Sequence, residues 1–132
     1  MELLPIFVIG HGDLPVALIN SAKMLMGERD GIYPLCLHEG DGLENFIQKT
    51  GELIDSIGKS VPLLVFVDIQ GGTPWNSVLG VNDPRVRLVT GVNLPMLLEV
   101  LNLRDHCENI DELVACALET ARISVVSRKF PI

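Results

Sequence analysis

The sequence predicts an α/β fold: a mostly parallel four-stranded open sheet with helices on both faces. Three observations lead there. Short apolar, β-branched runs recur along the chain, and amphipathic segments with near-3.6 spacing alternate with them. Leu4–Ile9 is apolar at every position, and Pro62–Val67 is the most hydrophobic run, as expected of strands buried on both faces. The first, third and fourth runs end in glycine-containing loops that lead into helical segments.

Taken in order, Leu4–Ile9 is the first strand and stops at Gly10-His11-Gly12. Asp13 offers an N-cap to the first helix and Pro15 suits its first turn. Leu14, Leu18, Ala22 and Leu25 line one face of that helix, and Gly27 stops it. Ile32–Leu37 is the second strand; Pro34 cannot donate to a ladder, which places it at a sheet edge. Asp41 with Glu44 has the spacing of a capping box. Leu43, Phe46, Ile47, Thr50, Ile54 and Ile57 then form one helical face, and Gly58 ends the helix. Gly51 within it costs about 1 kcal/mol against alanine.

Pro62–Val67 is the third strand and ends at Asp68. The loop 69–74 leads into a short helix from Trp75. Val86–Val89 is the fourth strand, followed by Thr90-Gly91-Val92-Asn93. Leu94-Pro95 opens a helix that runs through Leu101, and Ile110–Arg122 is the last helix. Ile123–Phe130 reads as a β-branched terminal strand.

The 132 residues fit one domain, 1–132, and 48% hydrophobic against 20% charged content excludes a disordered chain. Seventeen acidic and ten basic side chains leave a net charge of -7. That sign argues against nucleic acid and against an anionic membrane face as partners. No run reaches the roughly 18 apolar residues of a membrane span, and Glu2 stands where a signal peptide needs positive charge. Cys36, Cys107 and Cys116 form no CxxC pair, which fits a reduced, cytoplasmic protein.

Open parallel sheets build their sites beyond the carboxyl ends of the strands. Those ends carry Gly10-His11-Gly12, Asp68 with Gly71-Gly72-Thr73, and Gly91-Val92-Asn93. His11 follows a buried strand between two small neighbours, so its imidazole is accessible as nucleophile, base or metal ligand. A carboxylate that accepts from one ring N–H fixes the tautomer and makes the other nitrogen more basic; Asp68 is the candidate. Gly71 and Gly72 free their amides to converge on an anion, and Thr73 adds a hydroxyl at a helix start. The alternatives are a histidine that only caps an element, and a plain strand-to-helix turn with Thr73 as N-cap. No GxxxxGK[ST], GxGxxG or GxSxG pattern is present. Cys36-x-His38 and His106-Cys107 lack zinc-site spacing, so no metal is expected and His38 and His106 read as surface histidines. Cys116 reads as a small core residue, and Trp75 suits either the site's flank or the core.

Five segments in order carry a resemblance that spans nearly the whole chain. They are Val8-Ile9-Gly10-His11-Gly12, Ser21-Ala22-Lys23-Met24-Leu25-Met26-Gly27-Glu28, Asp68-x-x-Gly71-Gly72-Thr73-Pro74-x-Asn76, Gly91-Val92-Asn93-Leu94-Pro95-Met96-Leu97 and Asp111-Glu112-Leu113-Val114. Together they resemble the mannose-family enzyme IIA component of the bacterial phosphoenolpyruvate-dependent sugar phosphotransferase system. The resemblance implies a cytoplasmic phosphohistidine carrier with no cofactor. His11 would take a phosphoryl group from phospho-HPr and pass it to a separate IIB protein. Asp68 would orient the imidazole, and Gly71, Gly72 and Thr73 would lie by the phosphate. The membrane components IIC and IID would be served indirectly. The resemblance also implies a homodimer that exchanges a C-terminal antiparallel strand, for which Ile123–Phe130 is the candidate. Other readings are a phosphocarrier for dihydroxyacetone kinase, a regulatory module read in its phosphorylated state, and a small-ligand domain in which His11 does no chemistry.

Overall fold

The computed structural model describes residues 3–132. Four strands, β1 (Ile6–His11), β2 (Ile32–Leu37), β3 (Leu63–Val67) and β4 (Val86–Thr90), form one sheet in the order β2-β1-β3-β4. Every pairing is parallel. Helices α1 (Leu14–Met26), α2 (Leu43–Asp55), α3 (Thr73–Val81), α4 (Leu94–Arg104) and α5 (Ile110–Ser124) complete the described elements. The expected β-α alternation and the edge position of β2 are both present.

The two central strands explain the continuous apolar runs. Along β1, Ile6 and Val8 face one layer, where Ile19 and Ala22 of α1, Met96 and Leu97 of α4, and Leu113 and Ala117 of α5 pack. Phe7 and Ile9 face the other, against Phe46 and Ile54 of α2 and Val78 of α3. Period-two side chains with a helix layer on each side leave no polar face, so every β3 residue is buried. Phe46 and Ile54 are wholly buried and lie two turns apart on α2, the periodicity read from the sequence. Truncating a buried phenylalanine such as Phe46 to alanine costs roughly 3–5 kcal/mol.

Several local expectations are corrected. β1 does not stop at Ile9: Gly10 and His11 stay in register with Cys36 and Leu37. Asp13 sits at the α1 N-cap position but makes no side-chain cap bond. The Asp41–Glu44 capping box does not form, because Gly42 is the N-cap of α2 and Asp41 bonds the backbone of His38 instead. α3 begins at Thr73, with Gly72 and not Thr73 as N-cap. α4 runs on from Leu101 to Arg104. The terminal strand over Ile123–Phe130 is absent within the chain: Ile123 and Ser124 finish α5, and residues 125–132 carry no strand. A β-branched run forms a strand only where a ladder partner is available, and α5 and its exit supply none.

Among the described residues no helix is long and apolar enough to cross a membrane.

Candidate functional site

β1 turns back through α1 to β2 on one side, while β3 lies on the other, so the strand order switches between β1 and β3. The two carboxyl ends that meet at this switch are those of His11 and Asp68. Continuous burial of β1 and β3 fixes both strands, and their register pairs Ile9 with Val67. Residues 11 and 68 therefore leave the sheet side by side.

Asp68 grips His11 twice. Its Oδ2 accepts the His11 backbone N–H at 2.8 Å and lies 2.8 Å from the ring Nδ1. Its Oδ1 accepts the Ile69 N–H at 2.9 Å. Partial burial pushes the Asp68 carboxyl up, but the bonds from the His11 backbone, the His11 ring and Ile69 outweigh it and hold the group below the usual carboxylate range. An ionised carboxylate only accepts, so in the neutral imidazole Nδ1 carries the proton and Nε2 the lone pair. The Asp68 side chain is 12% exposed and the His11 side chain 49%, so the holding group is covered and the held ring is open.

Two absent side chains make this possible. A Cβ at Gly10 would stand 3.0 Å from Asp68 Cγ and Oδ2, blocking the carboxylate from its double grip. A Cβ at Gly72 would stand 3.0 Å from His11 Cε1 and 3.4 Å from Nε2. The loop backbone therefore lies directly against the Cε1–Nε2 edge of the ring. Gly71 turns the loop at φ +88°. Gly72 then caps α3 with no side chain in front of its first turn, and Thr73 is the first helical residue. Uncapped first-turn amides and the helix dipole favour an anion there.

Asn76, part of the quoted segment, and Ser77, which the sequence did not single out, brace this loop. Asn76 Nδ2 donates to the Gly71 carbonyl at 3.2 Å. The buried Ser77 hydroxyl donates to the Pro74 carbonyl at 2.7 Å, and its oxygen lies 3.1 Å from Thr50 Oγ1 on α2. A polar residue on the inner side of a short helix is the signal that could have flagged Ser77.

All five candidate residues, His11, Asp68, Gly71, Gly72 and Thr73, thus gather on one rim. The third rim loop serves α4: Asn93 Oδ1 caps it by accepting the Met96 N–H at 2.9 Å. Trp75 packs on the α2–α3 core layer, and Cys116 packs against the opposite core. His38 lines a cleft together with His11, Gly12, Leu37 and Glu39, with a volume of about 350 Å³. Sequence reasoning reads it as a surface histidine, and it is exposed.

The fold and rim define an open parallel α/β domain with an accessible, carboxylate-held histidine facing an anion-ready helix start. The profile of the family described as PTS system fructose IIA component (EIIA-man) matches residues 5–118. The fructose-specific EIIA component of Bacillus subtilis (strain 168) is 37% identical over 106 residues, covering 79% of this chain and 73% of that protein. The mannose-specific EIIAB component of Escherichia coli (strain K12) is 35% identical over 125 residues, 92% of this chain but only 39% of that longer protein. Among solved structures, the mannose/sorbose-specific IIA subunit from Enterococcus faecalis superposes with a TM-score of 0.88 at 28% identity, covering 99% of this chain and 98% of that one. The chain belongs to the mannose-type EIIA family of the sugar phosphotransferase system.

Proposed function

We propose that the protein is a cytoplasmic phosphohistidine carrier for coupled sugar uptake and phosphorylation. The observation that carries this reading is the Asp68–His11 pair, which holds Nδ1 and leaves Nε2 against Gly72. In the proposed step, the Nε2 lone pair attacks the phosphorus of phospho-HPr. A P–N bond forms at His11 as the P–N bond of the donor breaks, and the donor nitrogen keeps the electron pair. Asp68 stabilises the positive charge that develops on the ring through its bond to Nδ1–H. The amides of Gly71, Gly72 and the α3 first turn, with the Thr73 hydroxyl, receive the phosphoryl oxygens. The reverse geometry hands the group to a separate IIB protein, and IIC and IID are reached only through it.

No Lys or Arg lies in the segments 10–13 or 68–76. Amides and one hydroxyl hold a phosphoryl group less tightly than a cationic clamp, which suits a carrier that must release it. Positive charge would then come from the partner proteins, complementing a chain of net charge -7.

We also propose that residues 1–132 work as one domain of this type, paired as a homodimer. β4 is an open sheet edge, and Val125, Val126, Phe130 and Ile132 of the C-terminal segment are exposed. An unpaired edge and an unpartnered apolar segment together favour pairing with a second copy.

The test is labelling with phosphoenolpyruvate, enzyme I and HPr. Wild type should take up an acid-labile phosphoryl group and His11→Ala none. Equal labelling of His11→Ala would sink the assignment.

A further inference from the structure

The two sides of the His11 ring differ. On one side Gly72 lies so close that a Cβ would meet the ring at 3.0 Å. On the β2 side of β1 a cleft opens at the strand ends, lined by His11, Gly12, Leu37, His38 and Glu39. Register brings this wall close: His11 pairs with Leu37, and the Gly12 N–H donates to the Leu37 carbonyl at 2.8 Å. The next residue, His38, leaves the sheet beside the His11-Gly12 turn.

Asp41 fixes the backbone there. Its Oδ2 accepts the His38 N–H at 2.9 Å, and its own N–H donates to the His38 carbonyl at 3.1 Å. Both backbone groups of His38 are therefore engaged. Its exposed ring has no hydrogen-bond partner among the described residues. Of the residues that share the cleft with His11, Gly12 and Leu37 have no polar side-chain atom, and the Glu39 carboxylate only accepts. His38 is the one side chain on this wall that brings an N–H.

A phosphoryl group on Nε2 presents three terminal oxygens. The loop amides address them from one side of the ring. We propose that His38 donates a ring N–H to a phosphoryl oxygen from the opposite, cleft side, which makes it a second phosphoryl-contacting histidine. This rests on the carrier reading above. Glu39 on the same wall opposes an anion, and the His38 donor offsets it.

The experiment compares wild type, His38→Leu and His38→Gln in labelling by phospho-HPr, and in the ³¹P resonance of the phosphorylated protein. His38→Leu should label about tenfold more slowly, the size of one hydrogen bond to a charged group. Its ³¹P resonance should move. His38→Gln keeps an N–H and should recover most of the rate. Thermal melting should match in all three, since the ring is exposed. Wild-type rate and resonance in His38→Leu would overturn the proposal. So would equal slowing in both variants with the resonance unchanged, which marks cleft shape and not donation. Failure of the wild type to label overturns the carrier reading and this role with it; a labelled wild type with a silent His38 overturns this role alone.

Discussion

The two ends of the sheet handle polar side chains in opposite ways. At the amino end, Arg104 of α4 is fully buried. Its Nη1 donates to the carbonyls of Leu4 at 3.2 Å and Gly31 at 3.0 Å, and its Nη2 to that of Asp30 at 2.6 Å. One side chain thereby ties the starts of β1 and β2 to α4. At the carboxyl end, His11 is held by one carboxylate at one nitrogen and is left half open. A buried guanidinium met by three backbone carbonyls makes a fastening; a half-satisfied, exposed ring leaves one nitrogen without a protein partner. The two ends share β1, so one strand carries both the fastening and the histidine.

The sharpest way to break this contrast is to exchange the expected phenotypes. His11→Ala should abolish labelling while leaving the urea midpoint unchanged, because the ring is exposed and its loss opens no cavity. Arg104→Leu should do the reverse. It takes the side-chain donor from the Leu4 and Asp30 carbonyls, while that of Gly31 keeps the Ile6 N–H, and should cost about 3 kcal/mol in urea unfolding, with labelling of the folded protein retained. Loss of stability in the first variant, or of labelling alone in the second, would dissolve the division of labour.

Smaller perturbations sharpen the open end. Asp68→Asn keeps the shape but not the charge, and should slow phosphoryl transfer by about 10- to 100-fold with the fold intact. Gly72→Ala has an ordinary backbone conformation, φ -83°, so its effect comes from the new methyl against His11 Cε1. Transfer should fall several-fold, with stability within about 1 kcal/mol of wild type. The smallest effect is on pH-dependent stability. Asp68 has a lowered carboxyl value in the folded protein. Its contribution is complete above the ordinary value of 3.8 and is lost as pH falls through the lowered value. The gap in urea midpoint between wild type and Asp68→Asn should therefore narrow as the pH drops below 3.8.

Much of this arrangement was legible in the sequence because it rests on local chemistry. Continuous apolar runs mark β1 and β3, Pro34 marks an edge, and glycines flank the histidine and precede the threonine. Parallel topology then brings residues 57 positions apart into contact, as His11 and Asp68 are. What was missed depends on register or on competition. His38 carries no local pattern; only the pairing of β1 with β2 makes it a neighbour of His11. Asp41 had the spacing of a cap, but the His38 N–H was nearer and Gly42 took the cap position. Arg104 lies beyond the helix read through Leu101, and nothing adjacent to it in sequence announces the carbonyls of Leu4, Asp30 and Gly31 that it meets. The β-branched tail has strand propensity, but propensity does not supply a ladder partner within the chain.

The Arg104 fastening also bears on the order in which the molecule comes together. Leu4 and Arg104 are 100 positions apart, so their bond closes the widest loop of any side-chain bond described here. As the chain is synthesised from its amino end, β1 emerges before α4, so the Arg104 bond at its start must wait until α4 has followed. Nascent chains shorter than about Arg104 can pair β1 with β2 and β3 but lack this fastening and the α4–α5 side of the core, so competence for transfer should arise with the second half of the molecule.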